Sequence, residues 1–237
     1  MDSENVICKI KSDLVDPIGW KYVELNYLYD NLIPGNCLII GEGGESGREG
    51  VSATVLYHND IIKPIVCVDI VKYSDDSFMD LAEKNGQLKF INEDLCLLYS
   101  DCRYDNLVCL NVLEHFGFLS EQNLPSKPNY YLDGIKKMCA LCAENGQIIL
   151  TIPYALENND TFFTGGRNFS EKTIREIEEC VRGLGFFFYE EITVINVNKT
   201  NNFFEMDEVE LDVKRKHNDN RDEFLKCIII KRNSRNE

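Results

Sequence analysis

The fold is decided by the stretch Tyr104–Gly117, YDNLVCLNVLEHFG. Its first half contains the apolar run NLVCL, Asn106–Leu110, which has the length and composition of a buried β-strand. Its second half places an amide, a carboxylate and an imidazole directly after that strand. Residues that follow a parallel strand lie at the edge where open α/β sheets bind ligands, so we expect functional side chains here.

Strands and helices alternate on both sides of this stretch. Four more apolar runs predict strands, at Cys37–Ile40, Ile65–Ile70, Leu88–Ile91 and Gln147–Ile152. Helical periodicity falls between and around them, at Asp16–Leu32, Arg48–Tyr57, Asp75–Glu83, Tyr131–Cys142 and Ser170–Leu184. Asn145-Gly146 is expected to end the fourth helix, and Ser170 to cap the fifth. This alternation predicts a mainly parallel sheet that is covered by helices on both faces.

Two long apolar runs, Phe186–Val197 and Phe224–Lys231, end the series without a helical pattern between them. They predict an antiparallel pair at one edge of the sheet. The sequence therefore predicts an α/β fold of three layers, with seven strands and an antiparallel terminal hairpin. We expect one domain over residues 1–237, in which residues 1–33 form a helical extension ahead of the core at 34–237.

Composition restricts the partners and the compartment. The net charge of −15 opposes general binding to nucleic acid, because an acidic surface repels phosphates. No apolar run approaches the length of about 20 residues that a bilayer requires, and no secretory leader is evident, so the cytoplasm is expected. The ten cysteines are then expected to be reduced. Cys139 and Cys142 lack the second pair that a zinc site would need, so no metal is expected.

A glycine-rich turn, GEGGESG at Gly41–Gly47, follows the first strand. Such a turn lets the backbone approach a ligand closely. The dinucleotide fingerprint fails by one position, since Ser46 stands where its third glycine is expected. A nucleotide-like ligand and a tight structural turn both stay open for this segment.

Two carboxylates follow the next two strands. Asp69, at the end of the second strand, is expected to bind both hydroxyls of a ribose, whereas a helix cap or a salt bridge is the alternative. Asp94 follows the third strand, where it would accept the amine of an adenine or lie in a solvated turn.

The order of these segments resembles the class I S-adenosylmethionine-dependent methyltransferases with a Rossmann-like fold. The resemblance covers roughly residues 32–231. It rests on NVLEHF at Asn111–Phe116, on KMCALCAENGQIILTIPY around the fifth strand, and on NFSEKTIREIEECVRGLGF at the last helix.

The resemblance implies S-adenosylmethionine as cofactor and a small-molecule or glycan-like acceptor. It implies that the cofactor contacts Gly41, Glu42, Gly43, Asp69, Ile70, Asp94, Leu95 and Asn111. It implies that Glu114 and His115 stand at the acceptor, with His115 as the candidate base because imidazole titrates near neutrality.

Two other functions stay open. Ile39 and Glu45 occupy positions where the family usually has an acid and its third glycine, which favours a catalytically inactive binding protein with the same fold. An NAD(P)-dependent oxidoreductase is the weaker alternative. The segment Thr161–Ser170, TFFTGGRNFS, predicts either a surface loop or a mobile lid from which Arg167 reaches an acidic substrate. The oligomeric state does not follow from the sequence.

Overall fold

The computed structural model describes residues 20–41, 52–53, 62–73, 78–118, 124–196, 203–206 and 223–233. The chain divides into two compact units. The first contains residues 1–109 and 141–149, and the second contains residues 110–140 and 150–237. The single domain over residues 1–237 stays a prediction.

A parallel sheet forms the first unit. Its strands are β1 (Gly35–Ile40), β2 (Ile62–Asp69), β3 (Leu88–Asn92), β4 (Tyr104–Leu110) and the beginning of β5 (Cys142–Ala155). They lie in the order β3-β2-β1-β4-β5, with β1 parallel to both β2 and β4. Every residue from Cys37 to Ile40 is buried, as the continuous apolar run predicts for a strand that is covered on both faces. The predicted alternation and the parallel sheet are confirmed.

Helices α1 (Trp20–Asn31) and α2 (Phe78–Lys84) belong to the same unit. The chain after α1 is fixed by the buried Asn106 of β4, whose amide donates to the carbonyl of Ile33 at 2.8 Å and accepts from its N–H at 3.1 Å. Of the helix predicted at Arg48–Tyr57, Ser52 and Ala53 are helical and the rest lies outside the described residues.

The second unit contains a mixed set of elements. A short 3₁₀ helix (Leu113–His115) and α3 (Tyr130–Leu141) come before the end of β5. The chain continues through β6 (Thr161–Phe163), β7 (Gly166–Ser170), α4 (Glu171–Gly183), β8 (Phe186–Asn196), β9 (Phe203–Met206) and β10 (Glu223–Arg232). Strand β10 lies between β5 and β8 and is antiparallel to β8, so the predicted terminal pair is confirmed.

Ser170 caps α4 as predicted, because its hydroxyl accepts from the N–H of Thr173. Ile174, Ile177 and Val181 are buried on one face of that helix, whereas Leu184 lies beyond its end and is exposed.

Three predictions of local structure are wrong. Helix α3 ends at Leu141 rather than at Asn145-Gly146, because Cys142 already belongs to β5. Strand β5 also continues past Pro153 to Ala155. The segment Thr161–Ser170 is an antiparallel hairpin rather than a loop, with Phe163 paired to Gly166. All seven predicted strands are present, and β6, β7 and β9 are additional.

The described ranges contain no helix that is both long and apolar enough to cross a bilayer. No disulfide joins the cysteines in these ranges. They also contain no cluster of three His, Cys, Asp or Glu side chains that could hold a metal ion.

Candidate functional site

The carboxyl ends of β1 and β4 form the candidate ligand-binding edge of the first unit. These strands are neighbours in the sheet although they are not consecutive in the chain, and Ile40 pairs with Cys109. The order of the strands reverses at this point, and open α/β sheets bind their ligands in the crevice that such a reversal creates.

Gly41 is the first residue after β1 and turns the chain at this edge. Its φ is +83°, a conformation that a side chain would strain. Its N–H donates to the carbonyl of Val68 at 3.0 Å, which holds the turn against the end of β2. Glu42 and Gly43, which were predicted to contact the cofactor, lie outside the described residues.

Asp69 ends β2 directly beside this turn. Its Oδ1 accepts from the N–H of Val71 at 2.8 Å, so a local turn sets the direction of the carboxylate. Its carbonyl accepts from the N–H of Glu93 and from the side-chain amide of Asn92, both at 3.0 Å. These bonds connect the ends of β2 and β3, and they leave Asp69 partly exposed at the edge.

Apolar side chains are exposed beside the carboxylates. Ile70 follows Asp69 and is 70% exposed, and Leu97 and Tyr99 after β3 are similarly exposed. Asp94 accepts from the N–H of Cys96 at 2.9 Å through Oδ1, whereas Leu95 is buried. Carboxylates next to exposed apolar groups suit a nucleoside, which has hydroxyls on the sugar and a flat, largely apolar face on the base.

Asn111 follows β4 at the start of the second unit. Its φ is +56°, in the left-handed region that asparagine tolerates better than most residues. Its N–H donates to the carbonyl of Thr151 at 3.0 Å. Its buried Oδ1 has no hydrogen-bond partner within the described part of the chain. Strained backbone together with an unsatisfied buried oxygen is typical of a functional position.

The 3₁₀ helix carries Glu114 and His115. Glu114 is buried, and its Oε1 lies 3.6 Å from Nε2 of the exposed His115. Nδ1 of His115 lies 2.7 Å from the carbonyl oxygen of Gly165. Because a carbonyl only accepts, Nδ1 must carry the proton, and Nε2 of the neutral ring is then a lone-pair acceptor. The β6–β7 hairpin thus fixes the tautomer of His115.

Arg167, which was predicted to reach an acidic substrate if Thr161–Ser170 is a mobile lid, is a buried cation. Arg167 on β7 is only 3% exposed, and its guanidinium lies 4.9–5.8 Å from the centroids of four aromatic rings. We call this group the arginine cluster; it consists of Phe118, Tyr131, Asp160, Phe162, Arg167 and Phe169. Nη1 of Arg167 is 3.6 Å from Oδ2 of Asp160. A Gly-Gly pair inside an otherwise strand-forming segment is the sequence signal that predicts this hairpin.

Burial perturbs two titrating groups of the arginine cluster. Desolvation lowers the pKa of Arg167, and the charge of Asp160 opposes that shift only partly. Desolvation and the hydrogen bond from the Tyr131 hydroxyl to Glu176, 3.0 Å long, raise the pKa of Tyr131.

No family model and no curated protein sequence matches the chain. Solved structures do match. The 1,6-didemethyltoxoflavin-N1-methyltransferase of Burkholderia thailandensis, solved with 1,6-didemethyltoxoflavin and S-adenosylhomocysteine, is 15% identical over 98% of this chain and 80% of its own, with a TM-score of 0.55. An S-adenosylmethionine-dependent methyltransferase from Clostridium acetobutylicum is 11% identical over 98% and 100%, with a TM-score of 0.57.

A third similar structure is the O-methyltransferase of a trans-AT PKS multienzyme of Brevibacillus brevis, in complex with S-adenosyl-L-homocysteine. It is 13% identical over 97% of this chain and 75% of its own, with a TM-score of 0.58. The chain has the Rossmann-like methyltransferase fold. At this level of identity the likeness is one of fold, and the chemistry rests on the residues of the chain itself.

The residues at the edge of the first unit fit S-adenosylmethionine. Gly41 opens the backbone where β1 ends, Asp69 presents a carboxylate next to it, and Ile70 supplies an exposed apolar surface. Glu114 and His115 lie together in the second unit, with Nε2 of His115 lying 3.6 Å from Oε1 of Glu114. The roles of the site residues, Leu95 and Asn111 included, stay predictions.

Proposed function

We propose that this protein is an S-adenosylmethionine-dependent methyltransferase that acts on a small-molecule or glycan-like acceptor. The observation that carries the proposal is the carboxylate of Asp69, which lies at the end of β2 beside the left-handed turn at Gly41. A carboxylate at this place accepts from both hydroxyls of a ribose, because its two oxygens match their spacing. Asp94 and Ile70 would then lie near the adenine.

Bound S-adenosylmethionine supplies a sulfonium methyl group for transfer to the acceptor. The chain must hold the acceptor nucleophile in line with that group and remove its proton. His115 is suited to the second task, since its Nδ1 proton is bound by Gly165 and its Nε2 can receive a proton. The carboxylate of Glu114, 3.6 Å from Nε2, would stabilise the imidazolium that forms.

Calorimetric titration with S-adenosylhomocysteine tests the cofactor assignment. We expect Asp69→Ala to weaken binding about 10- to 100-fold, because one hydrogen bond to a charged group contributes about 1.5–3 kcal/mol. Asp133→Ala is the matched control, since it removes an exposed carboxylate of α3 that pairs with Lys136. Absence of binding by the wild type, or unchanged affinity in Asp69→Ala, would rule out the proposed cofactor site.

One observation favours the inactive binding protein as a second candidate. The resembled family usually has an acid at the position of Ile39. In this chain the position is occupied by an apolar residue that is buried within β1. Turnover of S-adenosylmethionine with a broad panel of small acceptors separates the two candidates, because only the enzyme produces S-adenosylhomocysteine. A thermal-shift comparison of NADH with S-adenosylmethionine tests the oxidoreductase in the same way.

A further inference from the structure

The guanidinium of Arg167 uses only one side of its hydrogen-bonding capacity. Nη1 faces Asp160 at 3.6 Å. Nε and Nη2 are buried, and neither has a hydrogen-bond partner among the residues that the structure describes. These two nitrogens share one edge of the planar group, where their N–H bonds are parallel. That edge is the fork that receives both oxygens of one carboxylate.

Asp160 cannot also serve this second edge. Its Oδ1 accepts from the N–H of Ser170 and from its hydroxyl, both at 2.9 Å, and from the hydroxyl of Thr173 at 2.6 Å. These bonds fix Asp160 at the start of α4, on the Nη1 side of the guanidinium. The opposite edge therefore needs a different acceptor.

The aromatic rings compensate the positive charge but not the two N–H bonds. The rings of Phe118, Tyr131, Phe162 and Phe169 attract the cation through their faces. A buried donor without an acceptor still carries the cost of its lost hydration. Desolvation also lowers the pKa of Arg167 despite Asp160, so a second negative group would stabilise the cation. The arginine cluster is thus incomplete without an external acceptor.

The hairpin that carries Arg167 also contacts the proposed base. The carbonyl of Gly165 binds His115, and the ring of Phe163 meets the imidazole edge-to-face at a centroid distance of 6.3 Å. The ring of Phe162 contacts the guanidinium and is 43% exposed, so the arginine cluster reaches the protein surface at this side chain. Arg167 pairs with Phe162 and Gly166 pairs with Phe163, so the guanidinium and His115 lie on opposite faces of the hairpin.

We propose that Arg167 binds the carboxylate of an acidic small molecule, whose two oxygens accept from Nε–H and Nη2–H of the guanidinium. This inference goes beyond the proposed function and adds a binding site for a carboxylate. The fork itself does not depend on the cofactor, so it is testable alone.

The test follows the Nε–H resonance of Arg167 in the full-length protein by two-dimensional NMR. Sodium benzoate is the probe, benzamide is its neutral control, and phenyl phosphate is the alternative anion. We expect benzoate to move the resonance downfield in a saturable manner and benzamide to leave it in place. The resonance is assigned from its own side-chain correlations, so this measurement needs only the wild-type protein.

Arg167→Lys checks that the planar fork is responsible, because lysine keeps the charge but cannot bind both oxygens in parallel. We expect this variant to bind benzoate at least 10-fold more weakly by calorimetry. Arg175→Lys is the matched control, since Arg175 is an exposed arginine of α4 that pairs with Glu171. It should bind benzoate as the wild type does.

Three results would overturn the inference: no shift with benzoate, equal shifts with benzamide, or a clear preference for phenyl phosphate. Titration with S-adenosylhomocysteine on the same samples separates this inference from the proposed function. If S-adenosylhomocysteine binds and benzoate does not, the carboxylate fork is wrong while the methyltransferase proposal stands. If only benzoate binds, the anion site stands and the methyltransferase proposal fails.

Discussion

The edge of the first unit and the arginine cluster of the second unit are built in opposite ways. At the edge, Gly41, Asp69 and Asp94 are positioned by bonds that include a backbone group, and neighbouring side chains are exposed. In the arginine cluster, Asp160 and Arg167 are positioned mainly by side chains, and the N–H of Ser170 is a backbone donor to Asp160. Replacing a side chain should therefore affect binding at the edge but stability in the cluster.

This contrast has a functional meaning. An edge whose side chains are positioned by bonds to backbone groups keeps its geometry when neighbouring side chains change. Such an edge suits a ligand that many different proteins bind. A cluster whose residues are positioned by other side chains changes its geometry when one of them is substituted. Such a cluster suits recognition of a ligand that is particular to this protein. The four predictions below test whether the contrast holds.

Replacement of the proposed base should have the largest effect. His115→Asn keeps a polar side chain but removes the proton acceptor, so we expect kcat to fall about 10²- to 10⁴-fold. The rate is measured as S-adenosylhomocysteine production with an acceptor from the panel. Affinity for S-adenosylhomocysteine should stay unchanged. A parallel loss of that affinity would place His115 in cofactor binding instead.

Asp160→Ala should destabilise the second unit strongly. It leaves Arg167 buried without its ion-pair partner and removes the acceptor of Ser170 and Thr173. Loss of one member of a buried ion pair costs about 3–5 kcal/mol in the free energy of unfolding. Urea denaturation measures it, with Asp133→Ala as the exposed control at under about 1 kcal/mol. Equal losses in both variants would contradict the contrast.

Ser170→Ala should have an intermediate effect. The hydroxyl caps α4 and donates to Asp160, so its removal is expected to cost about 1 kcal/mol or slightly more. Ser126→Ala is the control, because that exposed hydroxyl donates only to the carbonyl of Gly117. If urea denaturation shows the same loss in the free energy of unfolding for Ser126→Ala, the cap makes no specific contribution to the stability of α4.

Asn111→Gly should have the smallest effect on stability. Glycine adopts the left-handed φ without strain and removes the unsatisfied Oδ1, which offsets its larger chain entropy in the unfolded state. We expect the free energy of unfolding to change by less than about 1 kcal/mol. Asn111→Val should lose more than that, because a β-branched residue is strained at this φ. Equal stability of the two variants would show that the φ is not constrained.

The sheet was predictable because its signal is local. Runs such as Cys37–Ile40 are apolar throughout, because neither face of a strand that is buried on both sides contacts water. The end of α3 was not predictable in this way. Met138 and Cys142 fit one helical face, but Cys142 is the first residue of β5, and sheet hydrogen bonds override a weak helical preference.

The site was predictable to different extents. Asp69 and His115 follow strands, so their place at an edge follows from sequence order alone. Asp160 and Phe118 were missed, because they meet Arg167 only through the folding of the hairpin against the rest of its unit. Contacts of that kind depend on side-chain packing, which a periodic pattern does not encode.

The reciprocal bonds between Ile33 and Asn106 bear on where the protein can be shortened. Deleting residues 1–33 as a dispensable extension would remove both backbone partners of a buried amide in β4. It would also remove the carbonyl of Asn31, which accepts from the buried side chain of Gln147. A chain that begins at Pro34 would thus keep the sheet sequence intact, but the buried amides of Asn106 and Gln147 would lose these backbone partners and keep the 3.2 Å bond between them, and we expect it to be poorly soluble on expression.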